Sequence, residues 1–104
     1  MKIGFDFDDT LSTNKGKNIA KLRKSQGHTL YIVSARNEVG EDMLSVGADL
    51  GIPKERIFAV GSNLEKLKKI EALKLNYFYD NNPDVVKSLN KYGIKASLVW
   101  KSRT

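Results

Sequence analysis

The stretch Ile3-Gly4-Phe5-Asp6-Phe7-Asp8-Asp9-Thr10-Leu11 constrains the fold more than any other part of this chain. An apolar run that passes directly into three carboxylates reads as a buried strand stopping in an acidic loop at the edge of a sheet. Alternate residues of a strand face the same way, so Asp6 leaves the end of the strand with Asp8 just past it in the turn. Carboxylates packed this closely raise one another's pKa values unless a cation or a proton is shared among them. A hard divalent cation, most simply Mg²⁺, suits such a cluster of oxygens. The pair can also divide labour, one carboxylate attacking an electrophile or binding the metal while its neighbour carries a proton.

Downstream the pattern alternates. Ser12 to Lys17 is polar and turn-rich and is expected to be a mobile surface loop over the acids, followed by a modest helix from Asn18 to Ser25 that Gly27 stops. Thr29 to Val33 is rich in β-branched and aromatic residues and ends at Ser34, which predicts a second buried strand with a hydroxyl at its end. A helix is expected over Glu38 to Leu50, closed by Gly51 and Pro53, then a short strand over Ile57 to Val60. Ser62 and Glu65 form the pattern of a capping box for a helix reaching Leu73. Tyr77 to Tyr79 makes a fourth strand ending at Asp80, Val85 to Tyr92 a helix, and Ile94 to Trp100 a fifth strand, with Lys101 to Thr104 expected to fray. Strand and helix in alternation predict an α/β domain with a parallel sheet. In such sheets ligands sit beyond the carboxyl ends of the strands, where the winding reverses, and Asp6, Asp8, Ser34 and Asp80 all fall at strand ends.

With 104 residues the chain is expected to form one domain. It has no cysteine, which excludes disulfides, zinc thiolate sites and thiol catalysis and agrees with a cytoplasmic location. The apolar run at the N-terminus is broken by Asp6, so neither a signal peptide nor a membrane span is expected. A formal charge of +6 favours phosphorylated or polyanionic partners.

Asp6-Phe7-Asp8-Asp9-Thr10 resembles the first motif of the haloacid dehalogenase-like phosphatases, Asp-x-Asp-x-Thr after an apolar strand. The resemblance extends along the chain: Leu30 to Ser34 is similar to the second motif, and Asp80-Asn81-Asn82-Pro83-Asp84 to the metal-binding fourth motif in its Asp-x-x-x-Asp form. It implies a three-layer, doubly wound, Rossmann-like sheet of about five parallel strands with no cap domain. By that comparison Asp6 is the nucleophile, Asp8 the general acid/base and Ser34 a phosphoryl-oxygen ligand. Asp9 and Thr10 support the phosphate-binding loop, Thr10 by hydrogen-bonding within it. Mg²⁺ falls to Asp6, Asp8 through its backbone carbonyl, Asp80 and Asp84, with Asn81 competing for the outer place. The third motif requires a lysine before the fourth strand. Lys66, Ile70 and Leu73 stand at i, i+4 and i+7, so Lys66 shares a side with residues facing the sheet; Lys69 is the runner-up and Lys68 points away.

The implied reaction is hydrolysis of a phosphomonoester through an aspartyl-phosphate. The alternatives are a weak or inactive Mg²⁺- or phosphate-binding module and a phosphotransferase of the same fold. A receiver domain of the response-regulator type fails because Ile57 to Gly61 offers no acceptor aspartate. Without room for a cap, the cleft is expected to lie open and to admit a phosphate carried on something large, such as a nucleic-acid end. His28 is expected at the surface, and Arg36 either touches substrate or is an ordinary solvated arginine.

Overall fold

A computed structural model describes residues 1–99. Five strands, β1 (Lys2–Phe5), β2 (Thr29–Ser34), β3 (Ile57–Ala59), β4 (Tyr77–Asp80) and β5 (Lys95–Leu98), form one sheet in the order β3-β2-β1-β4-β5. Every pairing is parallel; Phe5 lies beside Ile32 of β2 and Tyr79 of β4. A parallel neighbour can be reached only by a crossover, and each is a helix: α1 (Asn14–Ser25), α2 (Glu41–Asp49), α3 (Asn63–Ala72) and α4 (Pro83–Lys91).

The strands are apolar on both faces because both faces are covered. On one side Ile3, Phe5, Leu30, Ile32 and Tyr79 pack with Ala20 of α1 and Met43 of α2. On the other, Val33 and Phe78 pack with Ile70 of α3 and with Val85 and Leu89 of α4. This is a three-layer, doubly wound α/β fold, and its parallel sheet is what the alternation predicts. The aromatic run Tyr77-Phe78-Tyr79 serves this packing: Phe78 is wholly buried on one face, and Tyr79 stacks on Phe5 on the other, with ring centroids 5.0 Å apart.

The expected mobile loop over Ser12 to Lys17 does not form. Phe7–Leu11 makes one wide turn, closed by the Leu11 N–H donating to the Asp6 carbonyl (3.2 Å) and the Ser12 N–H to the Phe7 carbonyl (2.9 Å). Thr13 then caps α1 at once, its hydroxyl donating to the Thr10 carbonyl (2.6 Å) and accepting from the Gly16 N–H (3.1 Å). Gly16 is needed there, because a Cβ would land on the Thr10 carbonyl oxygen. Residues that look like loop chemistry therefore weld the helix to the acidic turn. The second helix is shorter than expected, since Glu38 and Val39 stay in the loop ahead of Gly40, the residue before α2. Asn82 caps α4 through the Asp84 N–H (2.9 Å). The fifth strand ends at Leu98; Trp100 and the tail from Lys101 lie outside the described residues. Among the described residues no helix is long and apolar enough to cross a membrane.

Candidate active site

In the order β3-β2-β1-β4-β5 the winding reverses between β1 and β4, so the carboxyl ends of these two strands flank the natural ligand position. Asp6 follows β1 and Asp80 ends β4, and both are almost fully buried. Between them lies the Nζ of Lys66, 2.9 Å from Asp6 Oδ1 and 3.1 Å from Asp80 Oδ2. Lys66 is 2% exposed, although it stands in the first half of α3, where the helix dipole disfavours a cation. Two carboxylates at contact distance outweigh that penalty. Lys69 instead lies 4.2 Å from the centroid of the Phe58 ring, and Lys68 pairs with Glu65 in solvent.

The remaining oxygens of this triad are also engaged. The Thr10 hydroxyl donates to Asp6 Oδ2 (3.3 Å) and the Asn82 N–H to Asp80 Oδ1 (2.9 Å). The Asn81 carboxamide, with its nitrogen facing inward, donates to Asp6 Oδ2 (2.9 Å) and Asp80 Oδ1 (3.2 Å). Burial pushes the Asp6 carboxyl up to about 6 against the opposing pull of Lys66, and the charge of Asp80 pushes the same way as burial.

Above the triad opens a cleft of about 210 Å³, lined by Asp6, Asp8, Ser34, Lys66, Asp80 and Asn81, with Arg36 among the residues at its wall. Ser34 is buried, and its Oγ accepts the Arg36 N–H (3.1 Å). Asp9 lines the cleft in a left-handed conformation (φ 58°) that aspartate tolerates, its N–H donating to Ser12 Oγ (3.0 Å).

Thr10 hydrogen-bonds within the acidic turn, wholly buried and turned onto Asp6. Two expectations need correcting. Asp84 is exposed in the first turn of α4, in a depression with Asn63, Leu64 and Ser88, so it does not join the acids; Asn81 and Asn82 line the cleft instead. Arg36 is not an ordinary solvated arginine. It donates to Asp8 through Nε (2.9 Å) and NH2 (2.7 Å), and to Asp42 through NH1 (2.8 Å) and NH2 (2.9 Å). Those hydrogen bonds, to Asp8 first and then Asp42, raise the guanidinium's pKa, and Arg36 in turn lowers that of Asp42. The carboxylate of Asp8 is thus held by Arg36 at the exposed side of the cleft, 54% exposed. His28 is half-buried, its Nδ1 3.1 Å from the N-terminal amine, far from this chemistry.

Asn63, Asn82 and Asp42 were not singled out by the sequence. Asn63 had a usable signal, standing three residues before Lys66 and so on the same side of α3. Asp42 had none, because its partner lies six residues back across an irregular loop.

The donor set allows a test of metal fit. Among the described residues no three His, Cys, Asp or Glu side chains converge tightly enough to enclose an ion. What does converge is Asp6 Oδ2, Asp80 Oδ1 and the Asn81 carboxamide, which on rotation presents its oxygen in place of its nitrogen. Two carboxylates and one amide oxygen, all hard donors, fit an Mg²⁺ ion that keeps several waters.

Fold and site together define a doubly wound α/β domain with a buried Asp–Lys–Asp triad under an open, acid-lined cleft. No family model matches the chain. Over 76 residues, 70% of the chain, it is 36% identical to a Bacillus cereus protein named "Putative nucleotidase", and it spans 40% of that relative's length. It also aligns with the crystal structure of hypothetical protein PH1952 from Pyrococcus horikoshii OT3 at 15% identity and a TM-score of 0.42, covering 92% of this chain and 40% of that one.

Proposed function

We propose that the chain is a phosphomonoester hydrolase in which Asp6 is the nucleophile. The observation that carries this reading is the buried triad: a carboxylate fixed by Lys66 and Thr10 at the floor of a cleft, with Ser34 and Arg36 on its wall. A fixed carboxylate under cationic cover has little to offer except attack on an electrophile or capture of a cation. The likeness to a protein named as a nucleotidase, and the Asp-x-Asp-x-Thr order of the acids, point to phosphorus as the electrophile.

In the first step a carboxylate oxygen of Asp6 attacks phosphorus, the bond to the ester oxygen breaks, and Asp8 gives the departing alkoxide its proton. In the second, Asp8 takes a proton from water, the hydroxide attacks the phosphorus of the aspartyl-phosphate, and phosphate leaves with Asp6 restored. Lys66 balances charge at Asp6 throughout, and the Ser34 hydroxyl faces the phosphoryl oxygens. Asp6, Asp80 and Asn81 would hold Mg²⁺, which when bound neutralises charge on the transferring phosphoryl group. For Asp8 to serve as acid, its pairing with Arg36 has to open during the cycle.

The open cleft admits nucleotides and the phosphorylated ends of oligonucleotides alike. The test is turnover of p-nitrophenyl phosphate and of a panel of nucleoside monophosphates and 3′- or 5′-phosphorylated oligonucleotides in Mg²⁺, with and without EDTA. Turnover that EDTA removes and Mg²⁺ restores supports the reading. Absence of hydrolysis of every ester, in a preparation shown to be folded, would leave a binding module or a phosphotransferase of the same fold.

A further inference from the structure

We propose that Asp42 and Gly40 position Arg36 as an anion-receiving arm at the cleft mouth, and that the arm exchanges its contact with Asp8 for the phosphate of the substrate while keeping Asp42. The inference rests on the phosphate-ester reading above and extends it to residues outside the acidic loop. Its basis is the asymmetry of the two ion pairs. Asp42 is held twice, by the Arg36 guanidinium and through Oδ1 by the N–H of Met43 (2.9 Å), at the start of a helix whose dipole favours an acid. Asp8 is held through its side chain only by Arg36 among the described residues, and that side chain is 54% exposed.

The backbone of Arg36 is fixed as well: its N–H donates to Ser34 Oγ (3.1 Å) and its carbonyl accepts the Gly61 N–H (2.9 Å). The guanidinium lies 5.1 Å from the centroid of the Phe7 ring, which limits its swing. An arm rooted at Ser34 and tethered to Asp42 has one loose end, at Asp8.

Gly40 leaves room for the tether. A Cβ there would lie 2.5 Å from Asp42 Oδ1 and 2.9 Å from Arg36 NH1, so a side chain would press on the ends of both and they would have to shift. Its φ of −87° is one that any residue adopts, so the glycine answers to space and not to backbone conformation. The cleft also needs this cation. Asp6, Asp8, Asp9 and Asp80 line it against two basic side chains, and Lys66 is already saturated by two carboxylates. Among the side chains lining the cleft, Arg36 is therefore the cation open to an incoming phosphate, and its fork suits two oxygens at once.

The experiment is calorimetric titration of inorganic phosphate, in Mg²⁺, into the wild-type chain and into Asp42→Asn, Asp42→Glu and Gly40→Ala, beside steady-state kinetics with p-nitrophenyl phosphate. Asp42→Asn and Gly40→Ala should each weaken phosphate binding and raise KM by about tenfold, with kcat within about threefold of wild type. Asp42→Glu should recover part of the loss. Gly40→Ala removes no charge and no hydrogen-bonding group, so its agreement with Asp42→Asn separates positioning from a simple loss of an acid. Phosphate affinity and KM within twofold of wild type in both variants would overturn the inference, as would a fall in kcat at constant KM. A chain that binds phosphate in this Asp42-dependent way but hydrolyses nothing overturns the hydrolase reading alone. A wild-type chain that does not bind phosphate overturns this inference, and the hydrolase reading falls with it only if no ester is turned over.

Discussion

Two triads of the same make-up, acid–base–acid, sit at the floor and at the rim of one cleft. At the floor Lys66 joins Asp6 to Asp80; at the rim Arg36 joins Asp8 to Asp42. The side chains of the floor are at most 7% exposed, whereas those of the rim run from 31% to 55%. The same charges do different work in these settings. A compact ammonium in a dry pocket fixes two carboxylates that water cannot stabilise, and removing it leaves uncompensated charge. A forked guanidinium at a wet rim makes short bonds at little net gain, which suits a contact that must open. The floor is built to hold, and the rim to exchange.

The largest effect should come from breaking the floor chemically. Asp6→Asn should lower turnover of p-nitrophenyl phosphate by on the order of 10⁴-fold or more, because a carboxamide is no nucleophile. The same change should stabilise the metal-free chain at neutral pH. Asp6 has a folded pKa of about 6 against an ordinary 3.8, so the native state binds more protons than the unfolded state between those values. Stability should therefore fall as pH rises from about 4 to 6 and stay lowered above, by on the order of 2–3 kcal/mol. Urea titrations in EDTA across that range should show the decline for the wild-type chain and lose it in Asp6→Asn. A wild-type curve that rises with pH relative to that of Asp6→Asn over the interval would mean that Lys66 outweighs burial.

Next comes removal of each central cation. Lys66→Met leaves two buried carboxylates facing one another and should cost about 3–5 kcal/mol. Arg36→Met, at the rim, should cost less than about 1 kcal/mol. Midpoints of urea unfolding at pH 7 decide this, and equal losses would erase the distinction between floor and rim.

The floor and Asp8 were legible in the sequence, whereas the pairing of Arg36 with Asp8 and Asp42 was not, for a physical reason. Buried residues obey periodicity: Asp6 and Asp80 end apolar strands, and Lys66 shares a helical side with Ile70, so burial announces each of them. The strand-helix alternation that set the layers belongs to the same class of signal. Arg36 and Asp42 meet across an irregular loop, where no period operates and where α2 starts later than the apolar pattern predicts. Thr13 was hidden differently. Its cap lies inside a polar run containing Gly16, which lowers helix propensity, and only the close approach to the Thr10 carbonyl explains the glycine. Asp84 misled for the opposite reason, having a pattern without the geometry.

That residue gives the smallest expected effect and the sharpest check on where the floor ends. Asp84 follows Pro83 in the first turn of α4, where a negative charge is favoured by the helix N-terminus alone, and its side chain faces solvent near Leu64 and Ser88. Asp84→Ala should therefore cost at most about 0.5–1 kcal/mol of stability and leave the Mg²⁺ concentration for half-maximal turnover within about twofold. Asn81→Ala should do the reverse. It removes the carboxamide that touches both Asp6 Oδ2 and Asp80 Oδ1, so Mg²⁺ dependence should weaken by roughly tenfold or more, in the range typical of groups that support a metal site. Magnesium titrations of the two variants, read by turnover and independently by the metal-induced shift in thermal melting, set them side by side. If Asp84→Ala proved the more damaging, the ion would have to sit further out than the buried triad, with α4 moving inward to meet it.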